Sequence, residues 1–293
     1  MVDGTGKKVV TIGLVQMGMG SDTEKNVEKA KRMVEEAADK GAQIVCLPEL
    51  FRSQYFCQAQ DSGNFKLAEE IPGKTTHELS KIAKERNIVV IAGIFEKRSE
   101  GIYNNSAAVI DADGSLLGVY RKMYIPEDPT DYHEKMYFAE GEGFKAFDTA
   151  YGRIGVLICW DQWFPEAARL TALEGAQMIF YPTAIGWYPS DRKELKKRQL
   201  DAWQTIQRAH SIANGVFVAA PNRVGTEGNI DFWGSSFVSG PFGEVISEAD
   251  DAKEQVLIAR CDMAEIERTR HGWPFLRDRR VDAYKGITSR FAD

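Results

Sequence analysis

One short pattern occurs twice in the sequence, and it constrains the fold more strongly than any other feature. Residues 41–48 read GAQIVCLP, residues 175–182 read GAQMIFYP, and a helical pattern precedes each of them. In both places a glycine ends the helix, and the apolar strand that follows is closed by proline. The first copy belongs to a strand–helix–strand unit, which predicts a parallel pair of strands. The second copy has the same order of elements, which indicates two related halves.

The other patterns predict a mixed α/β protein. Asp113-Gly114 and the segment 240–243 (GPFG) each lie between two apolar runs, which is typical of hairpins. Predicted strands are 8–16, 44–47, 88–93, 104–110, 115–120, 144–147, 154–158, 178–181, 216–220, 235–238, 244–246 and 256–259. Predicted helices are 75–86, 167–174, 190–214, 263–270 and the segment between a cap at Ser21 or Asp22 and Gly41.

The domain organisation follows from the absence of any linker. No stretch rich in serine, glycine or proline divides the chain, so we expect residues 1–293 to form one domain of two sheets with helices outside them. The C-terminal tail, about 273–293, is basic and irregular but contains apolar side chains. We expect this tail to pack on the body of the domain or on a partner subunit, because free apolar side chains are unfavourable in water.

Composition and charge exclude several classes of protein. The chain has a net charge of -6 and a pI near 5.5, whereas a nucleic-acid binder needs a basic face. No apolar run reaches the roughly 18 residues of a membrane span, and the first residues, MVDGTGKKVV, lack the apolar core of a secretory signal. The four cysteines are scattered, which favours reduced thiols in a cytoplasmic protein. The four histidines form no HxH or HExxH motif, so no metal site is expected.

The most reactive candidate side chain is Cys159, in the stretch 151–166 (YGRIGVLICWDQWFPE). The apolar run 154–158 predicts a buried strand, and Pro165-Glu166 begins the next helical pattern. A cysteine between the carboxyl end of a strand and a helix lies where α/β sheets place their catalytic groups. This position favours a nucleophile, and the alternative interpretation is a small apolar core residue.

Two further reactive side chains, Glu49 and Lys122, also follow apolar strands directly. If those strands are neighbours, their ends converge with Cys159 in one pocket. A thiol is a weak nucleophile until it loses its proton, so Glu49 could act as the base. Lys122 would favour the thiolate and stabilise an oxyanion, together with the backbone amide of Trp160.

Simpler interpretations of these residues stay open at this point. Glu49 could cap a turn, and Lys122 could be a solvated residue of a hairpin. His133, in the long polar loop after Lys122, is an alternative base. Spacing in the sequence alone does not separate these possibilities.

Three motifs carry a resemblance to a known family: LPELF around Glu49, YRKMYIPEDP around Lys122 and ICWDQWFPEAAR around Cys159. The sequence resembles the nitrilase superfamily of carbon-nitrogen hydrolases from its first strand to RDRR near its end. The resemblance implies that Glu49 is the catalytic base, Lys122 the oxyanion-stabilising residue and Cys159 the nucleophile. It also implies that Glu134, in DYHEKMYF, orients Lys122 and helps to hold the substrate.

The same resemblance implies an architecture and an assembly. The expected fold is a four-layer α-β-β-α sandwich of two mixed sheets with helices outside. No metal or organic cofactor is expected. Members of the superfamily usually pair through their outer helices, so a homodimer or a larger homo-oligomer is expected.

Within the superfamily, the strings YFCQAQD, CWDQWFPEAARL, FYPTAIGW and WPFLRDRR resemble members that hydrolyse a carbamoyl group on a cationic alkyl amine. A small cationic substrate agrees with the acidic side chains of Glu127, Asp128 and Asp131, because they follow Lys122 in the same loop. Aromatic side chains, including Trp163, could form a partly apolar slot with cation–π capacity, or they could pack in the core or between subunits. The predicted substrate-binding residues are Tyr55, Asp131, Tyr132, Trp160 and Trp187.

Two other functions stay open. Relatives with the same Glu-Lys-Cys chemistry accept anionic carbamoyl amino acids or ω-amides, which need a cationic side chain near the distal carboxylate. The candidates for such a contact are Arg52, Arg121, Lys135 and Arg223. A noncatalytic interaction protein on this scaffold is disfavoured, because no catalytic position is substituted.

Overall fold

The computed structural model describes residues 8–291. The N-terminal segment MVDGTGK (residues 1–7) and residues 292–293, the two ends of the predicted domain 1–293, lie outside the described residues. The helices are α1 (Thr23–Asp39), α2 (Lys74–Arg86), α3 (Pro165–Leu173), α4 (Lys193–Asn214) and α5 (Ala264–Gly272). The strands are β1 (Val9–Gln16), β2 (Ile44–Cys46), β3 (Val89–Ser99), β4 (Ile102–Ile110), β5 (Leu116–Arg121), β6 (Ala146–Thr149), β7 (Gly152–Val156), β8 (Met178–Phe180), β9 (Gly186–Trp187), β10 (Phe217–Ala220), β11 (Val224–Glu227), β12 (Ile230–Trp233), β13 (Phe237–Ser239), β14 (Val245–Glu248) and β15 (Gln255–Asp262).

The first sheet has the strand order β15-β1-β2-β3-β4-β5. Strands β1, β2 and β3 are parallel, whereas β15, β4 and β5 each run antiparallel to a neighbour. Helix α1 connects β1 to β2, and the side chain of Asp22 caps it by accepting hydrogen bonds from the amides of Glu24 and Lys25. The parallel pair predicted from the first strand–helix–strand unit is therefore confirmed.

The second sheet has the order β14-β13-β10-β8-β7-β6, again with a parallel centre of β7, β8 and β10. The two GAQ segments occupy equivalent places in the two sheets. The side chain of Gln43 accepts a hydrogen bond from the amide of Thr11 at 3.1 Å, and that of Gln177 accepts one from the amide of Arg153 at 3.3 Å. Each glutamine directly precedes the strand that follows a helix, and it binds the strand before that helix: Gln43 binds β1 and Gln177 binds β7. This equivalence confirms the two related halves.

The two sheets pack face to face, and helices cover their outer sides. Ile12 and Leu14 of the first sheet share one core with Ile154 and Val156 of the second sheet. The other face of the first sheet packs on α1 and α2 through a second core, while α3 and α4 pack on the second sheet. This arrangement is the expected four-layer α-β-β-α sandwich.

Two features differ from the sequence-based expectations. A small third sheet, in the order β11-β12-β9, was not predicted, because its strands are short and contain glycine and charged residues. Strand β3 was predicted to end at Gly93 but continues to Ser99, because polar residues 96–99 keep pairing with β4. In residues 8–291 no helix combines the length and apolar character that a membrane crossing requires.

Gly93 marks the point where the loop after β2 lies against β3. A Cβ atom at this position would lie 2.9 Å from the carbonyl oxygen of Pro48 and 3.0 Å from the Cα of Glu49. We expect Gly93→Ala to lower the free energy of unfolding by about 1–3 kcal/mol, because backbone atoms cannot move aside as a flexible side chain can. Urea denaturation of the two proteins measures this difference.

The matched control is Gly272→Ala, because a Cβ atom there would meet nothing within 4 Å. We expect that variant to change the free energy of unfolding by no more than about 0.5 kcal/mol. Equal stability of the Gly93→Ala protein and the wild type would contradict the close packing of this loop.

Candidate active site

The elements that carry the predicted reactive side chains end at one edge of the sandwich. Strands β2 and β5 run in the same direction within the first sheet, so Glu49 and Lys122, which follow them, lie on the same edge. Cys159 follows β7 of the second sheet and packs in the core that the two sheets share. The charges of Glu49 and Lys122 act on Cys159, so both sheets contribute to one site.

Lys122 is the centre of a buried cluster of charges. Its Nζ donates hydrogen bonds to Oε1 of Glu49 at 2.8 Å and to the two carboxylate oxygens of Glu134 at 3.0 and 2.7 Å. None of the three side chains is exposed to solvent by more than 1%. One ammonium group between two carboxylates leaves one negative charge in excess beside the thiol of Cys159.

Two neighbouring side chains hold the carboxylates of this cluster. Asn105 Nδ2 donates to Oε1 of Glu49 at 2.7 Å, and the hydroxyl of Tyr55 donates to Oε1 of Glu134 at 2.7 Å. The other oxygen of Glu49, Oε2, has no hydrogen-bond partner among the described residues, so it can accept a proton. The role of Asn105 was not predicted, although two asparagines within the apolar strand β4 were the signal that could have indicated it.

Burial and local charge shift the pKa values of the cluster. Burial alone lowers the pKa of Lys122, but the carboxylates of Glu134 and Glu49 outweigh it and hold this pKa well above its usual value. Burial raises the pKa of Glu134, although Lys122 opposes the effect. Burial also raises the pKa of the Cys159 thiol, and the negative charge of Glu49 adds to this rise. The resting thiol is therefore protonated, and a base has to remove its proton before or during attack.

The backbone at Cys159 has an unusual conformation. Cys159 begins a 3₁₀ turn, Cys159–Trp163. Its backbone φ of 43° lies in the left-handed region, which residues other than glycine rarely adopt. Its amide donates to the carbonyl of Pro182 at 3.0 Å, and Sγ lies 3.8 Å from the carbonyl oxygen of Ala184. Strained backbone of this kind clusters at functional sites, where the surrounding structure holds it in place.

Asp161 fastens this turn to the segment that contains Lys122. Its carboxylate accepts hydrogen bonds from the hydroxyl of Tyr120 at 2.7 Å, the amide of Ile158 at 2.8 Å and the amide of Tyr124 at 2.9 Å. Asp161 was not predicted as a site residue from the sequence. Its signal was an aspartate directly after an apolar run, at a position that proves to be fully buried.

A cavity of about 480 Å³ opens onto Cys159. Its lining consists of Pro126, Glu127, Asp128, Pro129, Tyr132, Cys159, Trp160, Trp163, Ala184, Ile185, Gly186, Tyr188, Gln199, Ala202 and Trp233. Among these described residues there are two carboxylates and no lysine or arginine. The cavity is thus partly apolar and aromatic, with negative charge on one wall.

The described lining of this cavity includes some of the predicted binding residues and not others. Tyr132, Trp160 and Trp163 line it. Tyr55 is not among the described lining residues, and its contact with substrate stays a prediction. Its ring is buried, and its hydroxyl turns to Glu134 instead.

Asp131, Trp187 and His133 are also absent from the described lining of the cavity. Asp131 is buried and accepts a hydrogen bond from Asn229 at 3.1 Å, and Trp187 donates to a backbone carbonyl of α4 and packs on Trp233. The predicted contact of Asp131 and Trp187 with substrate stays a prediction, although Oδ1 of Asp131 and the indole nitrogen of Trp187 already have partners in the protein. Nδ1 of His133 lies 3.1 Å from Oε1 of Glu127, so this ring nitrogen is engaged by a carboxylate.

The buried position of Asp161 leads to a prediction about pH. Burial raises the pKa of Asp161 from 3.8 to about 6, so the folded protein keeps this proton at a pH where the unfolded chain has lost it. The stabilisation that this proton gives is therefore complete below about pH 4 and is lost as the pH rises through about 6.

The variant Asp161→Asn cannot bind this proton, so it lacks that pH-dependent stabilisation. We expect the stability of the variant relative to the wild type to rise by up to about 3 kcal/mol from pH 4 to pH 7. Urea denaturation of both proteins across this range measures it, and a constant difference between them would contradict the prediction.

Comparisons with known proteins identify the family of the chain. The sequence model described as carbon-nitrogen hydrolase matches residues 11–271. The N-carbamoylputrescine amidase of Oryza sativa subsp. japonica is 47% identical over 96% of this chain and 95% of its own length. The citrullinase of Francisella tularensis is 42% identical over 96% of this chain and 99% of its own length. A crystal structure of a carbon-nitrogen hydrolase from Helicobacter pylori, 43% identical, superimposes with a TM-score of 0.93 over 97% of this chain and 100% of that one.

The family match spans most of the chain, and the relatives align over almost their whole lengths. The protein therefore belongs to the carbon-nitrogen hydrolase family of the nitrilase superfamily and is a hydrolase that acts on amides.

Proposed function

We propose that the protein is an N-carbamoylputrescine amidase, which converts N-carbamoylputrescine and water into putrescine, carbon dioxide and ammonia. The observation that carries this proposal is the cavity at Cys159, whose described lining combines aromatic side chains with Glu127 and Asp128 and contains no basic side chain. Such a wall is complementary to a flexible alkyl chain that ends in an ammonium group. The identity of 47% to the rice enzyme of this name supports the same substrate.

The first half of the reaction uses the buried cluster. The free oxygen of Glu49 takes the proton of Cys159, and the sulfur attacks the carbamoyl carbon. The negative charge that develops on the carbonyl oxygen is stabilised by the ammonium of Lys122 and the backbone amide of Trp160. Glu49 returns the proton to the leaving nitrogen, so ammonia departs and an N-alkyl thiocarbamate remains on Cys159. Glu134 keeps Lys122 oriented through its two hydrogen bonds.

The second half of the reaction releases the amine. Glu49 removes a proton from a water molecule, which attacks the thiocarbamate carbon, and Cys159 leaves and regains its proton. The product is the carbamate of putrescine, which decomposes to putrescine and carbon dioxide. One water molecule is consumed in the whole sequence. These steps need no electron transfer.

The distal ammonium group of the substrate meets Asp128 in this proposal. Oδ1 of Asp128 accepts hydrogen bonds from the amide and the hydroxyl of Thr130, the amide of Asp131 and the hydroxyl of Tyr188. These donors lower the pKa of Asp128 although partial burial opposes them, so its carboxylate is ionised and fixed in direction. Because all of these contacts are to Oδ1, Oδ2 is the oxygen left to bind an ammonium group.

Anionic substrates fit this cavity poorly. Arg223 is fully buried, Arg121 forms an ion pair with Glu96 at 2.5 Å, and Arg52 donates to the carbonyl of Leu67 at 2.9 Å. Neither these arginines nor Lys135 belong to the described lining of the cavity. A carboxylate on a carbamoyl amino acid would therefore face Glu127 and Asp128 with no cation to pair it. The same argument disfavours citrulline, which has a carboxylate beside its ammonium group.

Turnover of three ureido substrates tests the proposed function. We expect purified protein to release ammonia from N-carbamoylputrescine, and much more slowly from N-carbamoyl-β-alanine and citrulline. We expect Cys159→Ala to lower kcat by on the order of 10⁴-fold or more while the fold is retained, because the variant has no nucleophile. Ammonia release and circular dichroism are the two measurements.

Each outcome of this experiment has a distinct meaning. A preference for N-carbamoyl-β-alanine or citrulline would overturn the cationic substrate but keep the Glu-Lys-Cys chemistry. Full activity in Cys159→Ala would overturn the mechanism. An inactive wild type whose Cys159 also fails to react with iodoacetamide would favour a noncatalytic protein on this scaffold.

The variant Asp128→Asn tests recognition of the ammonium group. We expect KM for N-carbamoylputrescine to rise about 10-fold with kcat nearly unchanged, because the lost charge contributes equally to ground-state and transition-state binding. The matched control is Asp148→Asn, which makes the same change of charge at an exposed position outside the cavity. An equal KM for Asp128→Asn and its control would contradict the assignment.

The domain organisation, the assembly and the location of the protein are also proposals. We propose that the chain is one domain and that its C-terminal tail packs on a partner chain of the same kind. Large apolar side chains of the tail support this packing, since Trp273, Ile287 and Phe291 are 56%, 63% and 72% exposed in the single chain. Four buried free thiols support a reducing, cytoplasmic location.

A further inference from the structure

Arg223 is a fully buried arginine whose guanidinium group has no free donor. It lies between β10 and β11, next to the loop that carries Glu49. Nε donates to the carbonyl oxygen of Glu49 at 3.3 Å, and Nη2 donates to that oxygen at 2.9 Å and to the carbonyl oxygen of Leu50 at 2.7 Å. Nη1 donates to the carbonyl oxygen of Ser53 at 3.0 Å and to the carboxylate of Glu227 at 3.0 and 3.1 Å. All five N–H groups are therefore used inside the protein.

The backbone that Arg223 holds is strained at a residue beside the proposed base. Leu50 directly follows Glu49 and has a φ of 49°, in the left-handed region that a leucine rarely adopts. The guanidinium group of Arg223 donates hydrogen bonds to the carbonyl oxygens of both Glu49 and Leu50, and these bonds keep the turn in that conformation. The direction of the Glu49 side chain depends on this turn, because its Cα lies in it.

A second arm of the same network reaches Glu134. Glu227, the ion-pair partner of Arg223, accepts a hydrogen bond from the amide of Tyr55 at 2.6 Å. The guanidinium carbon lies 5.8 Å from the centre of the Tyr55 ring. The hydroxyl at the other end of this ring donates to Glu134 at 2.7 Å. Arg223 thus binds the backbone of Glu49 directly. Through Glu227 it also holds Tyr55, which donates a hydrogen bond to Glu134.

We infer that Arg223 is a positioning residue for the reaction, which holds Glu49 directly and Glu134 through Glu227 and Tyr55. This inference rests on the proposed roles of Glu49 and Cys159. Arg223 does not touch the substrate, because it is buried and all its donors are used. Its effect is to fix the two carboxylates on either side of Lys122, and a displacement of about 1 Å at such a site can lower the rate about 100-fold.

Lysine cannot replace arginine in this role. A lysine keeps the positive charge for Glu227, but its ammonium group has three donors and no planar fork, so it cannot bind three carbonyls and a carboxylate at once. The variant Arg223→Lys therefore separates positioning from charge. Its matched control is Arg52→Lys, in the same loop, since Arg52 donates to the carbonyl of Leu67 and does not contact Glu49.

Steady-state kinetics and alkylation of Cys159 test the inference. We expect Arg223→Lys to lower kcat about 100-fold and to change KM by less than about threefold. At pH 7 the rate at which iodoacetamide alkylates Cys159, followed by peptide mass spectrometry, should also fall. Arg52→Lys should stay within about twofold of the wild type in both measurements.

A purely structural role of Arg223 would give a different result. It would lower the Tm of Arg223→Lys but leave kcat per folded molecule and the alkylation rate at the values of the control, and this result would overturn the inference. If Arg223→Lys does not fold, Glu227→Gln decides instead. That variant weakens the clamp without removing the guanidinium group, so a lower kcat and slower alkylation at pH 7 support the inference, and wild-type values overturn it. Alkylation requires no substrate, so it tests Arg223 even if N-carbamoylputrescine is not turned over.

Discussion

The burial of Lys122 between two carboxylates is the interaction on which the rest of the site depends. Removing an ammonium or a carboxylate from water costs several kcal/mol for each ion, and only close, well-directed partners offset this cost. Glu49 and Glu134 provide such partners at 2.7 to 3.0 Å. The cluster can exist only if the ends of β2 and β5 and the loop after β5 are held together. The packed sheets provide that rigidity, and they also exclude the water that would screen the charges.

The excess negative charge of this cluster connects stability to reactivity. Burial of Cys159, together with this negative charge, raises the pKa of its thiol, so the resting thiol is protonated. In the proposed mechanism, Glu49 accepts the proton of this thiol once substrate is bound. Two strained residues, Leu50 and Cys159, set the directions of these groups, and two buried ionisable side chains, Asp161 and Arg223, bind the backbone around them. The strain is therefore held by hydrogen bonds from residues that do not react.

The side chains of the cavity favour a positive charge on the proposed substrate. In the proposed function, the aromatic wall of the cavity contacts the alkyl chain of the substrate, and its acidic side binds the ammonium group. A carboxylate in the same place would be repelled and would have no partner among the described lining residues. The substrate proposal thus depends on the side chains at the mouth of the cavity, whereas the reaction type depends on the buried cluster beside Cys159. These two properties can be changed separately, for example at Asp128 and at Cys159.

The sequence by itself determined the architecture, through its patterns and its family resemblance, and it singled out the candidate reactive side chains. The repeated GAQ segments define two equivalent halves, and apolar runs that end directly before Glu49, Lys122 and Cys159 point to their strand ends, because these signals are local in the chain. Only the tertiary structure decided which other residues support them. The contacts of Asn105, Asp161 and Arg223 join residues far apart in the chain. The same holds for the hydrogen bonds from Tyr55 to Glu134 and from Asn229 to Asp131. Neither composition nor spacing encodes such pairings, since they depend on how the two sheets and their loops meet in space.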